Sequence, residues 1–159
     1  MQVEIHFTGA RIIVPPLAMP SLEIGACVEF HGIVRQLEKA APIAGLHYEA
    51  YEPMARTHLA RHFDELAHLH ACEAVIFIHR LGWVPVGESS LYLRVLAAHR
   101  GPALRYLAEA IDRLKLDVPI WKNSQVSRAA KTAEDGVCPS TEDAYGAVMI
   151  SPEFLGDLS

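Results

Sequence analysis

Two segments of helical periodicity, with two strand-like segments between them, constrain the fold of this chain more than any other feature. Apolar residues recur at helical spacing from Pro53 to about residue 70 and again over residues 101–115. Pro53 suits the start of a helix, because the N–H that proline lacks has no partner at the first position. Between the two helices, residues 74–78 form the continuous apolar run of a buried strand, and residues 90–97 favour another strand.

The residues before the first helix add three strands to the prediction. Val3–Phe7 alternates weakly, and residues 26–35 are typical of a strand in which Gly32 marks a bulge or a close approach. Residues 46–51 alternate again and should pair with a nearby strand. The pattern is a lead-in strand, two strands, a helix, two strands and a second helix, which predicts an α+β fold with an antiparallel sheet.

Segments without either periodicity connect these elements. They are residues 14–21, which contain three prolines, residues 36–44, and the turn over residues 82–87. Pro119 ends the second helix or fixes the turn after it. Periodicity is lost beyond about Asp135, so we expect a domain over residues 1–134 and an irregular extension over residues 135–159 that can dock on a dimer partner, with residues 147–150 as a short strand.

Composition narrows the class of protein. A chain of 159 residues fits one domain with a substantial core, and a net charge of -5 argues against a general nucleic-acid binder. No apolar run approaches the roughly 18 residues that span a bilayer. The start of the chain lacks the basic and apolar regions of a signal peptide, so we expect a cytoplasmic protein. The cysteines form no CxxC pair, and we expect Cys27 and Cys72 to be buried thiols.

The distribution of lysines points to a local anion site. The chain has only four lysines, and Lys115 and Lys122 fall in one eight-residue stretch on either side of Pro119. Lys122 follows Ile120 and Trp121, and an amine beside apolar surface can act as a nucleophile or a base. The alternative for Lys115 is that it only complements the negative end of a helix dipole.

Three further cations are candidates for binding an anion. His99 and Arg100 lie between a strand and a helix, where backbone N–H groups and the positive end of the helix dipole favour anions. Arg35 ends a strand and can hold a phosphate or a carboxylate through two hydrogen bonds, although a surface ion pair is the alternative. For His79 and Arg80, a functional role and a plain strand-end turn explain the pattern equally well.

The histidines do not predict a metal site. His58 and His62 are four residues apart, but no HExxH motif surrounds them and the sequence suggests no third ligand. GxGxxG, GxxxxGK[ST] and GxSxG motifs are also missing from the sequence. We therefore expect neither a metal nor an organic cofactor.

An ordered set of short segments resembles the MoaE family, the large catalytic subunit of molybdopterin synthase. The segments are Gly25-Ala26, Phe30 to Arg35, Leu46 to Tyr51, Met54-Ala55, His79 to Gly82, Val86 to Glu88, His99-Arg100, Leu114-Lys115 and Pro119 to Lys122. Together they cover roughly residues 25–123, at the spacing of the family.

The resemblance implies an α/β hammerhead fold and a homodimer that becomes a heterotetramer when a small ubiquitin-like sulfur carrier binds at each end. The carrier's C-terminal Gly-Gly thiocarboxylate would enter a pocket of this subunit. Its sulfur would pass to cyclic pyranopterin monophosphate and build the dithiolene of molybdopterin, a step in molybdenum cofactor biosynthesis. By motif position, Lys115 and Lys122 match the essential lysines of the family, and Arg35, His99 and Arg100 match its anion-binding residues.

The chain departs from the family pattern at three places. The family usually continues Trp-Lys with a basic residue and a glutamate, whereas this chain continues with Asn123 and Ser124. The family's basic residue from the neighbouring subunit has only Arg128 and Lys131 as nearby candidates, and the loop after Arg35 lacks the usual glycine and asparagine residues.

These departures keep three hypotheses open: an active sulfurtransferase, a divergent paralogue that binds a carrier or a phosphate ligand without turnover, and a dimeric structural module. For an active enzyme, Lys115 has three candidate roles, as a stabiliser of developing charge, as an acid or base, or as a nucleophile. A partly desolvated Lys115 could serve in any of these roles.

Overall fold

The structure, a computed structural model, describes residues 1–126, and the side chains of residues 1–123. The elements in this part of the chain are β1 (Gln2–Thr8), β2 (Ala26–Ile33), β3 (Leu37–Glu38), β4 (Ala41–Ala50), α1 (Glu52–Leu69), β5 (Ala74–Arg80), β6 (Gly82–Pro85), β7 (Ser89–Ala97), α2 (Arg100–Asp117) and β8 (Ile120–Val126). They form the α+β fold that the sequence predicts, with two helices and two sheets.

The larger sheet has the strand order β1-β5-β7-β2 and packs against both helices. Its pairs are antiparallel except for β1 with β5, which is parallel. Phe63 of α1, Phe77 of β5 and Tyr106 of α2 are almost fully buried where the three elements meet. The Tyr106 hydroxyl donates a hydrogen bond to the Phe63 carbonyl at 3.0 Å, so the two helices are joined by a satisfied polar contact inside the core.

The smaller sheet has the order β3-β4-β6, and β8 also pairs with β4. Its own core contains Val34, Ile43, Leu46 and Val84. Gly45 is required here, because an added Cβ would lie 2.5 Å from the Val84 carbonyl oxygen and 2.6 Å from the Trp83 ring. This sheet therefore contains β4, the strand that pairs with β8 after the second helix.

Pro119 determines where α2 ends. Val118, the residue before it, has an extended backbone with φ -81° and ψ 125°, as expected because the proline ring disfavours helical geometry in the preceding residue. The helix accordingly ends at Asp117, and Lys115 lies in its last turn. The chain then turns into β8, where Lys122 pairs in register with Tyr48 of β4.

Arg94 anchors the long segment between β1 and β2. Its guanidinium is 2% exposed, donates to the Glu29 carboxylate at 2.7 Å, and donates to the carbonyl oxygens of Pro15 and Pro16 at 2.8 and 3.0 Å. These acceptors satisfy the buried charge. The two hydrogen bonds to proline carbonyls also hold the proline-rich segment, which has no secondary structure of its own, against the larger sheet. This segment is the loop predicted over residues 14–21.

The main elements agree with the sequence prediction. The opening strand, both helices and the strands at 26–35, 74–78 and 90–97 are present with small shifts of their ends. The register of β2 shifts between Gly32 and Ile33, which confirms the predicted irregularity at Gly32. Cys72 is buried as expected, whereas Cys27 is only half-buried.

Two loop predictions were wrong. Residues 36–44 contain β3 and the start of β4, joined by a turn at Lys39 and Ala40 whose φ angles are 49° and 64°. These positive φ values belong to residues other than glycine, so the turn has no sequence signature. Residues 82–87 begin with β6, whose four residues pair with β4. A strand of four residues is defined by its pairing with another strand, and the local sequence does not reveal that pairing.

Some expectations concern parts of the chain beyond residue 126. The boundary at residues 134 and 135, the extension over 135–159, the short strand at 147–150, and the candidates Arg128 and Lys131 all lie outside the described residues. Neither described helix is long and apolar enough to cross a membrane.

Candidate functional site

A pocket of about 450 Å³ lies between the last turn of α2, β8 and the facing strands. Lys115 and Lys122, the two lysines predicted to form the chemical centre, both line it. The rest of its wall is formed by Phe30, Gly32, Ile33, Tyr48, His79, Ser90, Leu91, Ile111, Leu114, Val118 and Ile120. The wall is mostly apolar, so the lysines are the cations that an anion in this pocket would meet.

The turn at Pro119 brings the two lysines to one pocket. Lys115 arrives from the helix and Lys122 from the strand, while Val118 and Ile120 form the apolar wall between them. Both lysine side chains are exposed in the single chain, and Lys122 is 52% exposed. Lys115 is therefore solvated in the single chain, because the pocket is open on this side.

Lys122 is paired with an acidic residue that sequence reasoning missed. Its Nζ donates a hydrogen bond to Glu38 Oε1 at 2.7 Å. This hydrogen bond, together with the positive charges of Lys122, Arg35 and Lys39, holds the pKa of the Glu38 carboxyl below its usual range. Arg35 does not line the pocket, but its charge contributes to lowering the pKa of Glu38, the partner of the pocket-lining Lys122.

His79 forms a buried polar part of the pocket wall. It is 4% exposed, and its Nδ1 lies 2.9 Å from the carbonyl oxygen of Arg80. That contact requires a proton on Nδ1 and leaves Nε2 as an acceptor. Burial lowers the pKa of His79 to about 4, so the ring is neutral at pH 7. The Tyr48 ring packs edge-on against the imidazole at 5.1 Å and holds its orientation.

Arg80 has a structural role beside this histidine. Its side chain is largely buried and pairs with the Glu88 carboxylate, which connects the end of β5 to the residue before β7. The sequence left two explanations open for these residues, a functional role and a strand-end turn. The structure places His79 at the pocket and Arg80 in an ion pair that supports the segment between β5 and β7.

The other two predicted anion-binding residues lie elsewhere. His99 and Arg100 are exposed at the N-terminus of α2, beside a shallow depression formed with Gly25, Ala98, Gly101 and Pro102. Arg100 and Lys115 are 15 residues apart on one helix, which corresponds to about 22 Å at 1.5 Å per residue. A single chain therefore brings Lys115 and Lys122 together and keeps His99 and Arg100 away from them.

One group of metal-ligand types occurs within the described residues, near the C-terminal end of α2 but outside the lining of the pocket. His58 and His62 of α1 and Asp117 each offer a donor atom within 4.8 Å of the others. Asp117 is the third residue that the sequence did not suggest. Hydrogen bonds account for the arrangement, since His62 Nε2 lies 2.7 Å from the Asp117 carboxylate and His58 Nδ1 lies 3.0 Å from the Asp117 carbonyl.

Comparison with known proteins identifies the family. The model of the MoaE protein family matches residues 12–117, which is more than half of the chain. The chain belongs to the MoaE family. Among curated relatives, the molybdopterin synthase catalytic subunit of Oryza sativa is 39% identical over 101 residues, which are 64% of this chain and 52% of that protein. This chain thus spans about half the length of that MoaE relative.

Solved structures agree with the family. The crystal structure of molybdopterin synthase from Staphylococcus aureus superimposes with a TM-score of 0.64 at 34% identity, covering 68% of this chain and 79% of that chain. A complex of subunits 1 and 2 of molybdopterin-converting factor from Helicobacter pylori gives a TM-score of 0.57 at 28% identity, covering 66% of this chain and 68% of that chain. The two-helix fold with its two sheets is therefore a MoaE fold.

Proposed function

We propose that this chain is the catalytic subunit of a molybdopterin synthase. In this role it is a sulfurtransferase that moves sulfur from the thiocarboxylate of a small ubiquitin-like carrier to cyclic pyranopterin monophosphate and forms the dithiolene of molybdopterin. The observation that carries the proposal is the meeting of Lys115 and Lys122 in one apolar-walled pocket. These are the lysines whose motif resembles that of the family.

The charges of the pocket suit this chemistry. A thiocarboxylate and a phosphate are both anions, and the protein around the pocket is acidic overall, with a net charge of -5. Each transfer forms a bond from the sulfur to a side-chain carbon of the pterin in place of a bond from that carbon to oxygen, and breaks the bond between the sulfur and the acyl carbon of the carrier. Water supplies the oxygen of the carboxylate left on the carrier, and two such transfers complete one dithiolene. Lys115 lies where its ammonium can stabilise the negative charge that develops on the acyl oxygen.

The apolar wall has a second consequence for the reaction. When the carrier's tail fills the open side of the pocket, water is displaced and the lysine charges act in a medium of lower dielectric constant. The lysines, exposed in the single chain, become desolvated at that stage. His79 then provides a neutral acceptor in the pocket wall, because its Nδ1 proton is already bound to the Arg80 carbonyl.

A second copy of the chain completes the proposed site. His99 and Arg100 match the family's anion-binding residues, yet they lie about 22 Å from Lys115 along α2. In a homodimer, His99 and Arg100 of one subunit can face the lysine pocket of the other and hold the phosphate there. Two-fold symmetry would create two such sites, each with one carrier, which gives the heterotetramer.

A reconstitution assay tests the function. The full chain is mixed with a thiocarboxylated carrier and cyclic pyranopterin monophosphate, and formation of the dithiolene is measured. We expect product with the wild-type chain and only background with Lys115→Ala. Absence of product with the wild-type chain and a carrier that binds it would contradict the proposal.

Ser124 favours one competing function, a paralogue that binds the carrier or a phosphate ligand without turnover. The family usually has a glutamate at this position, and β8 carries Ser124 opposite Leu46, two residues beyond Lys122. Tight carrier binding without turnover, together with turnover restored by Ser124→Glu, would establish this alternative. Turnover by the wild-type chain would exclude it.

A further inference from the structure

We propose that Glu38 is an internal counter-ion of Lys122, and that an anionic ligand must displace it before that ligand can bind the lysine. Glu38 is then a specificity-determining residue, since it makes the site selective for anions able to replace a carboxylate. The inference rests on the proposed function, because it assigns Lys122 to the binding of an anionic substrate. Nothing in the sequence motifs points to Glu38.

The backbone presents Glu38 to the lysine in a defined way. Glu38 is the last residue of β3, and the turn at Lys39 and Ala40 returns the chain to β4, the same strand that pairs with β8. The Glu38 side chain is 20% exposed, whereas that of Lys122 is 52% exposed. The carboxylate is therefore the more enclosed partner, and the ammonium is the partner that solvent or a ligand can reach.

The Glu38 carboxylate occupies a position that nearby positive charges make favourable for an anion. The Glu38 carboxylate accepts a hydrogen bond from Lys122 Nζ at 2.7 Å, and the charges of Arg35 and Lys39 also lower the pKa of this carboxyl. A place that these cations make favourable for a carboxylate is also favourable for the carboxylate, thiocarboxylate or phosphate of a ligand. Glu38 fills this place with an anion of the chain itself.

The cost of displacing Glu38 is small. The ion pair contributes little to stability, because Lys122 is exposed and stays solvated when the pair separates. A ligand that carries two negative charges gains more from Arg35 and Lys122 than the single charge of Glu38 does. The ion pair therefore discriminates against weak monovalent anions and still allows a phosphate to enter.

A purely positioning role of Glu38 predicts a different change in anion affinity. If Glu38 only held Lys122 in a productive position, removing its charge would leave the ammonium less ordered, and anions would bind with the same or lower affinity. If Glu38 competes with the ligand, removing its charge must increase the affinity for anions. The sign of the change separates the two roles.

Calorimetric titration of the full chain with inorganic phosphate tests the proposal. For Glu38→Gln, which keeps the shape of the side chain, we expect the Kd for phosphate to fall about two- to fivefold, the range that an exposed ion pair supports. Phosphate affinity that is too weak to measure in the wild-type chain should become measurable in the variant. An unchanged or weaker affinity would overturn the proposal.

Two matched variants test whether the gain belongs to the pair of Glu38 and Lys122. Glu49→Gln removes the same charge from an exposed position on β4, where the carboxylate contacts His47 instead of a lysine. It should leave the phosphate affinity unchanged, and an equal gain there would reduce the effect to net charge and overturn the proposal. Adding Lys122→Met to Glu38→Gln should remove the gain. Because no turnover is measured, failure here is distinguishable from failure of the sulfur transfer.

Discussion

The two ends of α2 carry the same kind of cationic group in different surroundings. At the C-terminal end, Lys115 lies at a pocket whose walls come from both sheets, with the buried His79 in one wall. At the N-terminal end, His99 and Arg100 are exposed beside a shallow depression lined by their own loop and helix. Within the described residues, only the C-terminal end has the enclosure that a reaction with a charged intermediate needs.

Under the proposed homodimer, the difference means that one chain carries the candidate anion-binding residues but forms only part of the site. A helix N-terminus attracts anions by its backbone N–H groups, but it needs a second wall to hold them. The lysine pocket has its own cations but is open on one side. In the proposed homodimer, the N-terminal end of α2 from a second copy would cover that side.

Loss of Lys115 should give the largest effect. We expect Lys115→Ala to lower kcat by about 100-fold or more, because it removes a charge aimed at the developing oxyanion. The melting temperature should hardly change, since an exposed position at a helix end costs no more than about 0.5 kcal/mol. Dithiolene formation and thermal unfolding are the two measurements. A large loss of stability would instead assign Lys115 a structural role.

His79 should make the lysine end of the molecule sensitive to pH. Its pKa is about 4 in the folded chain, below the ordinary value of 6.5. Between these values the unfolded chain binds a proton that the folded chain does not, so the free energy of unfolding falls as the pH falls through this window. The loss should reach up to about 3 kcal/mol by pH 4.

Urea unfolding between pH 7 and pH 4 measures this dependence. In His79→Phe, the free energy of unfolding should change less steeply with pH, because the contribution of the buried imidazole is removed. His68→Gln, at an exposed position on α1, should retain the wild-type slope. A wild-type slope in His79→Phe would show that the imidazole is not buried in the folded chain.

Arg100 should give a smaller loss of activity than Lys115. We expect Arg100→Ala to raise KM for the phosphate substrate about tenfold, which corresponds to about 1.5 kcal/mol, the lower end of the range for a hydrogen bond to a charged group. Arg105→Ala, an exposed position on the same helix, is the control and should leave KM unchanged. An equal rise in KM for both variants would contradict the assignment of Arg100 to substrate binding.

Much of the fold followed from local patterns. The helices, the buried strand at Ala74–Arg80 and the end of α2 at Pro119 are encoded in periodicity and proline geometry, which short stretches of sequence reveal. β8 was missed because its residues Lys122 to Gln125 are polar and its only described partner is β4, far away in the sequence. β3 was missed because its turn uses Lys39 and Ala40 in positive φ.

The site was predictable only in part, for the same physical reasons. Lys115 and Lys122 flank a proline, so local sequence indicates that they lie close together. Glu38 reaches Lys122 through strand pairings that no local pattern specifies. His79 could have been found from its place in the matched motif, but its burial and fixed tautomer required the structure.

Mixed dimers provide the most direct test of a site shared between two chains. Chains with Lys115→Ala and chains with Arg100→Ala are each assayed alone, then exchanged to equilibrium and assayed together with carrier and with substrate well below the wild-type KM, where a raised KM also lowers the rate. If each site takes its lysines from one subunit and Arg100 from the other, one site in every mixed dimer contains both native residues. About one quarter of the wild-type activity should then return. Activity that stays at the level of the two separate variants would contradict the shared site.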